Sequence, residues 1–381
     1  MLPGRVPLGR DPTNGRLVTL DRDEEGRRAH AVAAFLAPAH TSILLASYRS
    51  RPDAPTLPLY SYAAVGFARG AYWAAGVRVD PDRRQDPWRF DLDRIRESAG
   101  AELAERPSNR LLQQLHRCAL EYHCRAAQNY FLHRHEAPLP TSHACNSRCL
   151  GCISLQEDGS FKAAQDRLQT PPPAADVAEV AITHIGRVGR AVVSYGQGCE
   201  GEPLLVREVL AGSIRLIREA TSEGTINLNS NASLPGVVDE LAALGLDSLR
   251  VSLNSAQPEL YNAYYRPRGY VWTDVIDSMR RMKHRGRFVS LNLLCFPGVT
   301  DRQAEIDALC ALIEETGLEM IQLRNLNIDP EIYIRCLPSG ARGQGIGFDA
   351  FRKRLRERFP RLRFGYFNPP RERIERWRTS S

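Results

Sequence analysis

Three cysteines fall within one eight-residue run, Cys145-Asn-Ser-Arg-Cys149-Leu-Gly-Cys152. Three thiolates on one short loop suit a cubane iron–sulfur cluster. Each would hold one iron, and the fourth iron would stay open to a small molecule. A tetrahedral zinc site needs a fourth ligand, which His143 offers, so a zinc-stabilised binding protein without turnover is the alternative from another class. About fifty residues on comes Gly198-Cys199-Glu200-Gly201-Glu202-Pro203-Leu204. Glycine lets backbone approach a ligand closely, and a carboxylate accepts from an ammonium group. Read structurally, the same run is a strand-to-helix turn with proline near the helix start.

Six of the nine cysteines lie outside the first run. In a chain of this size they point to reduced thiols, ligation or catalysis rather than a disulfide framework. Cys118 and Cys124, beside His116 and His123, would sit on opposite sides of an ideal helix, which favours core packing over a metal site. Cys295 and Cys310 also read as core. Cys199 is expected at the mouth of the site and Cys336 just past the last core strand; either is a candidate for a chemical role.

These residues must be positioned by something. From about residue 139 the pattern alternates strands with helices. Strands are expected near 139–144, 190–195, 225–230, 247–254, 287–296 and 319–326, and helices near 176–188, 205–222, 234–244, 272–285 and 302–316. Such alternation builds a parallel sheet with right-handed crossovers, and six steps can curl into an open barrel. Alternate residues of a strand face opposite ways. Asn227, Asn229 and Asn231 oppose Ile226 and Leu228. Arg250, Ser252 and Asn254 oppose Leu249, Val251 and Leu253. Ser290 and Asn292 oppose Leu291 and Leu293, and Gln322 and Arg324 oppose Ile321 and Leu323. The apolar faces must pack on helices, so the polar faces look inward. A lumen this polar is expected to hold a polar ligand. Arg324, expected to be buried there, should need an anionic partner, from a ligand or from Glu202.

The cysteine run resembles the C-x3-C-x2-C signature of the radical S-adenosylmethionine (radical SAM) superfamily. The Gly201-Glu202-Pro203 run is similar to that superfamily's Gly-Gly-Glu segment, with Glu200 in place of the first glycine. The resemblance covers about residues 139–327. It implies a [4Fe–4S] cluster on Cys145, Cys149 and Cys152, with S-adenosylmethionine bound through the open iron. It further implies reductive cleavage of that cofactor to a 5′-deoxyadenosyl radical, which takes hydrogen from a substrate. Cofactor contacts implied in this way are Gly201, Glu202, Pro203, Asn229, Ser252, Asn254, Asn292 and Arg324. An electron donor such as a flavodoxin or ferredoxin is implied as well. One departure stands out: the residue before the last motif cysteine, commonly aromatic in that superfamily, is Gly151.

The remainder of the chain supplies context. The expected layout is a partial (β/α)6 TIM-like barrel over residues 138–330. A mostly β N-terminal domain (1–95) and a helical connector (96–137) precede it, and a basic C-terminal extension (331–381) closes its open side. The net charge is +7, with only three lysines. Residues 352–378 hold eleven Arg or Lys against three Glu, so the positive charge is concentrated there. Mixed with Phe, Tyr and Trp, this tail would suit RNA or a peptide substrate; amphipathic closing helices are the favoured reading. No apolar run approaches the roughly 18 residues of a membrane span, and the N-terminus lacks a signal-peptide core, so a cytoplasmic protein is expected.

Overall fold

The computed structural model describes residues 1–156, 159 and 161–380. Seven parallel strands lie side by side in chain order: Glu136–Pro138, Val192–Tyr195, Thr225–Ser230, Ser248–Leu253, Phe288–Cys295, Met320–Asn325 and Arg363–Gly365. Helices Ala174–Arg187, Arg207–Ala220, Pro235–Leu244, Trp272–His284 and Gln303–Thr316 connect successive strands. The sheet is a curled partial barrel, in the α/β class that the alternation implies.

Strand parity explains the layering. Leu228, Val251, Leu253, Leu291 and Leu323 are fully buried, in one core with Val177, Leu210, Ile214, Val275, Met279 and Leu309 of the helices. The opposite faces turn to the lumen, whose floor is closed by Phe288, Met320, Ile374 and Trp377. Ile374 and Trp377 belong to the final helix, Arg371–Thr379.

Two elements depart from expectation. The first strand is Glu136–Pro138 rather than 139–144. Pro138 and Pro140 have no N–H to donate. Beyond them the N–H groups of Thr141 and Ser142 turn to the Glu200 carboxylate. The seventh strand, in the basic tail, is additional to the six expected; it has only three residues and no alternating run to betray it. The tail's arginines lie back on the barrel, Arg358 against Glu314, Arg371 against Glu223 and Arg378 against Glu319.

The segment before helix Leu92–Glu105 forms short antiparallel pairs, Arg5–Arg10 with Leu17–Thr19 and Tyr48–Ser50, His40–Ser42 with Gly76–Arg78, and Val65–Ala68 with Ala71–Ala74. This segment docks on the sixth barrel strand. Thr41 Oγ1 donates to Leu323 O, Asn325 Oδ1 accepts from Ser42 N, and Arg5 pairs at 3.0 Å with buried Asp329. Among the described residues no helix is long and apolar enough to cross a membrane.

Candidate active site

The cysteine loop leaves the first strand at its C-terminal end, where β/α barrels carry their chemistry. It is clamped from two sides. On one side the stretch before it pairs with the loop after the second strand: Gly201 N donates to Ser142 O and Glu202 N to Ala144 O, both at 2.8 Å. A Cβ on Gly201 would stand 1.9 Å from Ala144 O, so only glycine fits. On the other side the C-terminal end of helix Pro258–Tyr265 receives the loop's backbone: Leu150 N donates to Tyr264 O and Arg148 N to Tyr265 O.

Cys145, Cys149 and Cys152 line one cavity of about 270 Å³ with Gly201, Glu202, Pro203, Asn229, Ser252 and Asn292. Burial pushes the Cys145 thiol up to about 11, and it also raises the Cys149 thiol, followed by the other two cysteines. Three thiols thus crowd one cavity, where the neighbouring sulfurs add to the burial that opposes ionisation of Cys145 and Cys149, and cationic iron would reverse this. Among the described residues no three His, Cys, Asp or Glu side chains converge as ligands of a single ion, and His143 is exposed. A cubane instead spreads its thiolates over three irons, which three cysteines around one cavity suit better than a tetrahedral zinc does. Arg167 stands beside the loop, with Nη2 3.4 Å from Cys152 Sγ.

Glu202 is buried, and its carboxylate accepts from Ser230 Oγ (2.6 Å), Asn231 N (2.9 Å) and Leu204 N (3.2 Å). Burial pushes its carboxyl up to about 7. An ammonium placed against it would draw it back down. Glu200, which stands in place of the first glycine of the Gly-Gly-Glu segment, also borders this cavity, and its carboxylate accepts from Thr141 N, Ser142 N and Gln197 N.

The other candidates divide. Ser252 and Asn292 sit side by side in the fourth and fifth strands, and Asn292 Oδ1 is buried without a partner. Asn229 lines the cavity, but its amide is engaged with Tyr195 O, Gly196 O and the side chains of Asn227 and Asn368. Asn254 is not in the cavity. The fourth strand ends at Leu253, so parity no longer governs it, and its amide donates to Leu260 O and Tyr333 Oη. Arg324 faces an adjoining cavity, only half-buried. Among the described residues it meets no carboxylate there. Its guanidinium stacks 3.7 Å from the Tyr366 ring centroid and donates to Tyr366 O. The expected anionic partner is replaced by an aromatic face on the C-terminal segment.

Cys199 and Cys336 line neither cavity. Cys336 ends helix Pro330–Cys336. Cys199 is buried against the Cys118 thiol, with Cys124 nearby; this contact, followed by burial, holds the Cys199 thiol well above the ordinary range. Cys118 and Cys124 are not on opposite faces of one helix, because helix Arg110–Leu120 ends between them and Cys124 N turns back to Cys118 O.

Two features escaped the sequence reading. Tyr264 Oη lies 2.9 Å from where a Cβ on Gly151 would be, so a tyrosine from helix Pro258–Tyr265 fills the space left by the missing aromatic residue. The lower lumen is filled by the chain itself. Asn368 hydrogen-bonds Glu136, Ser194 and Gln322, and Gln322 in turn accepts from Arg250. A polar lumen therefore does not by itself require a ligand along its whole depth. A cavity of about 660 Å³ lies at the far end of the strands beneath the final helix, away from the cysteines.

Residues 139–310 match the family model of the radical SAM superfamily. The FeMo cofactor biosynthesis protein NifB of Klebsiella pneumoniae is 25% identical over 185 residues, 43% of this chain and 37% of that protein. The GTP 3′,8-cyclase of Streptomyces coelicolor is 26% identical over 162 residues, 42% of this chain and 44% of that protein. The chain thus spans less than half the length of either relative. Among solved structures, a radical SAM methyltransferase from Sphaerobacter thermophilus superposes with a TM-score of 0.45 at 19% identity, covering 61% of this chain and 66% of that one.

Proposed function

With residues 139–310 a radical SAM domain, whose cofactors are a [4Fe–4S] cluster and S-adenosylmethionine, we propose that this protein is an enzyme that cleaves S-adenosylmethionine reductively to start a reaction on a separate substrate. One observation carries the reading: the three loop cysteines and the Gly201–Glu202 segment border the same cavity. The cluster, when bound, supplies one electron that splits the cofactor into methionine and a 5′-deoxyadenosyl radical, which takes a hydrogen atom from the substrate and leaves as 5′-deoxyadenosine.

The chain's own part is to bind and orient. Cys145, Cys149 and Cys152 hold three irons. Gly201 lets the backbone come close, Pro203 starts the following turn, and Glu202, aimed by Ser230 and Asn231, accepts from the cofactor's ammonium group. Ser252 and Asn292, with no hydrogen-bond partner among the described residues, are placed for the ribose hydroxyls, and Asn229 for a contact limited by its existing bonds. Asn254 and Arg324 are withdrawn from the cofactor set. Half-buried Arg167 and exposed Arg148 and Arg266 border the outer side of the cysteine loop, a basic face suited to an acidic donor such as a flavodoxin or ferredoxin. The paired tail arginines favour a small-molecule substrate over RNA or a peptide, and nine free cysteines suit a reducing, cytoplasmic setting.

The test is anaerobic reconstitution. The chain should bind about four irons, as one cubane requires, and release 5′-deoxyadenosine when given reductant and S-adenosylmethionine. The Cys145/Cys149/Cys152→Ala triple variant should do neither. Retention of the iron and sulfide by that variant would refute the assignment.

A further inference from the structure

Beyond Asn292 and Ile153, which border both spaces, the cysteine cavity continues into a second one of about 400 Å³. Its walls come from three parts of the chain. The barrel provides Arg324, the C-terminal segment Tyr366, and the N-terminal segment Phe35 and Tyr60, whose rings stack at 4.6 Å. Gly151 of the cysteine loop opens onto it directly. A substrate here would lie beside the cluster loop and across Asn292 from the cofactor contacts.

The cysteine cavity carries both signs, Glu200 and Glu202 with Arg167 and Arg250, whereas the adjoining space is lined by Arg324 and by no acid. Arg250 lines the cysteine cavity and Arg324 the adjoining one. Arg250 gives one N–H to the neutral Gln322 Oε1 at 2.9 Å, and Arg324 gives one to Tyr366 O at 2.7 Å. Among the described residues neither makes an ion pair. Burial, followed by the charge of Arg324, pushes Arg250 down to about 9; Glu136 opposes this more weakly, from a distance. Two guanidinium groups facing adjoining cavities repel one another, and an anion bound between them would relieve that repulsion. Tyr366 holds the Arg324 plane flat, which leaves its remaining N–H groups on a fixed fork suited to paired oxygens.

We propose that the substrate of this enzyme carries an anionic oxygen group, a phosphate or a carboxylate, that Arg250 and Arg324 bind together, with a flat apolar body laid toward Tyr366 and the Phe35–Tyr60 pair. The proposal rests on the radical SAM reading for the word substrate, but the anion site itself does not depend on turnover. The N-terminal segment acquires a role from it, since without Phe35 and Tyr60 the cavity would lack its outer wall.

The experiment uses the full, reconstituted chain and three probes of similar body, phenyl phosphate, benzoate and benzyl alcohol, by isothermal titration calorimetry with S-adenosylmethionine present. Cofactor binding is read in parallel from the cluster's electron paramagnetic resonance spectrum. At least one anion should bind, and benzyl alcohol should bind at least about tenfold more weakly. Preference between phenyl phosphate and benzoate identifies the group. Arg250→Gln and Arg324→Gln should each weaken the anion about tenfold or more, with Arg324→Lys retaining part of the affinity as a check on folding. Equal binding of all three probes, or unchanged anion affinity in both Gln variants, overturns the proposal. So does an equal loss of anion and cofactor affinity, which would assign the arginines to the cofactor's carboxylate. A cluster that ignores S-adenosylmethionine while the anion still binds through the arginines would instead sink the radical SAM reading and leave the anion site standing.

Discussion

Replacing Gly201 by alanine should disconnect the two segments on which the site depends. The added Cβ would lie 1.9 Å from Ala144 O and 2.5 Å from Ala144 C. Both are backbone atoms, so no side chain can swing aside. Ordinary contact requires the two segments to part by more than about 1 Å, which breaks the Gly201 N–Ser142 O and Glu202 N–Ala144 O bonds, now 2.8 Å each. Two lost hydrogen bonds at about 1 kcal/mol each, plus about 1–3 kcal/mol of overpacking, give a loss of about 3–5 kcal/mol. The displaced stretch leads straight into Cys145, so iron loading should fall as well. Urea unfolding of the apo chain measures the first effect and iron content after reconstitution the second. Gly236→Ala is the control: nothing lies within 4 Å of its Cβ, and in helix Pro235–Leu244 alanine should stabilise by up to about 1 kcal/mol. If Gly201→Ala unfolds at the wild-type midpoint and loads wild-type iron, the clamp argument is wrong.

Two further outcomes follow from the same geometry. Arg167→Met removes an N–H donor and a positive charge from Cys152 Sγ, so the cluster's midpoint potential in a redox titration should fall; an unchanged or higher potential would count against that contact. The carboxyls of Glu200 and Glu305 are pushed from 4.5 up to about 7 by burial. The folded chain therefore holds protons that the unfolded chain releases between about pH 4.5 and 7. Each group's stabilising effect is full below that window and is lost through it as pH rises, on the order of 3 kcal/mol apiece. Urea midpoints at pH 5 and 7.5 should show Glu305→Gln flattening this decline, and a decline as steep as wild type would contradict it.

What was legible in the sequence was local. A cysteine run and a glycine–glutamate run declare their chemistry through spacing alone. The period of two in the strands sorted Leu228, Val251, Leu291 and Leu323 from Asn229, Ser252 and Asn292, because pleating alternates faces wherever a strand persists. The same rule failed at Asn254, one residue past its strand's end, where no pleat remains to point it inward. Composition could not show that a tail of arginines supplies a seventh strand, a floor and Asn368 at the centre of the lumen. Nor could it show that Tyr264 fills the gap at Gly151, that Tyr366 rather than a carboxylate meets Arg324, or that a broken helix brings Cys118 to Cys199. Each of these joins residues tens to hundreds of positions apart. Periodicity records which face a residue presents, whereas the partner on that face is chosen only when the whole chain packs.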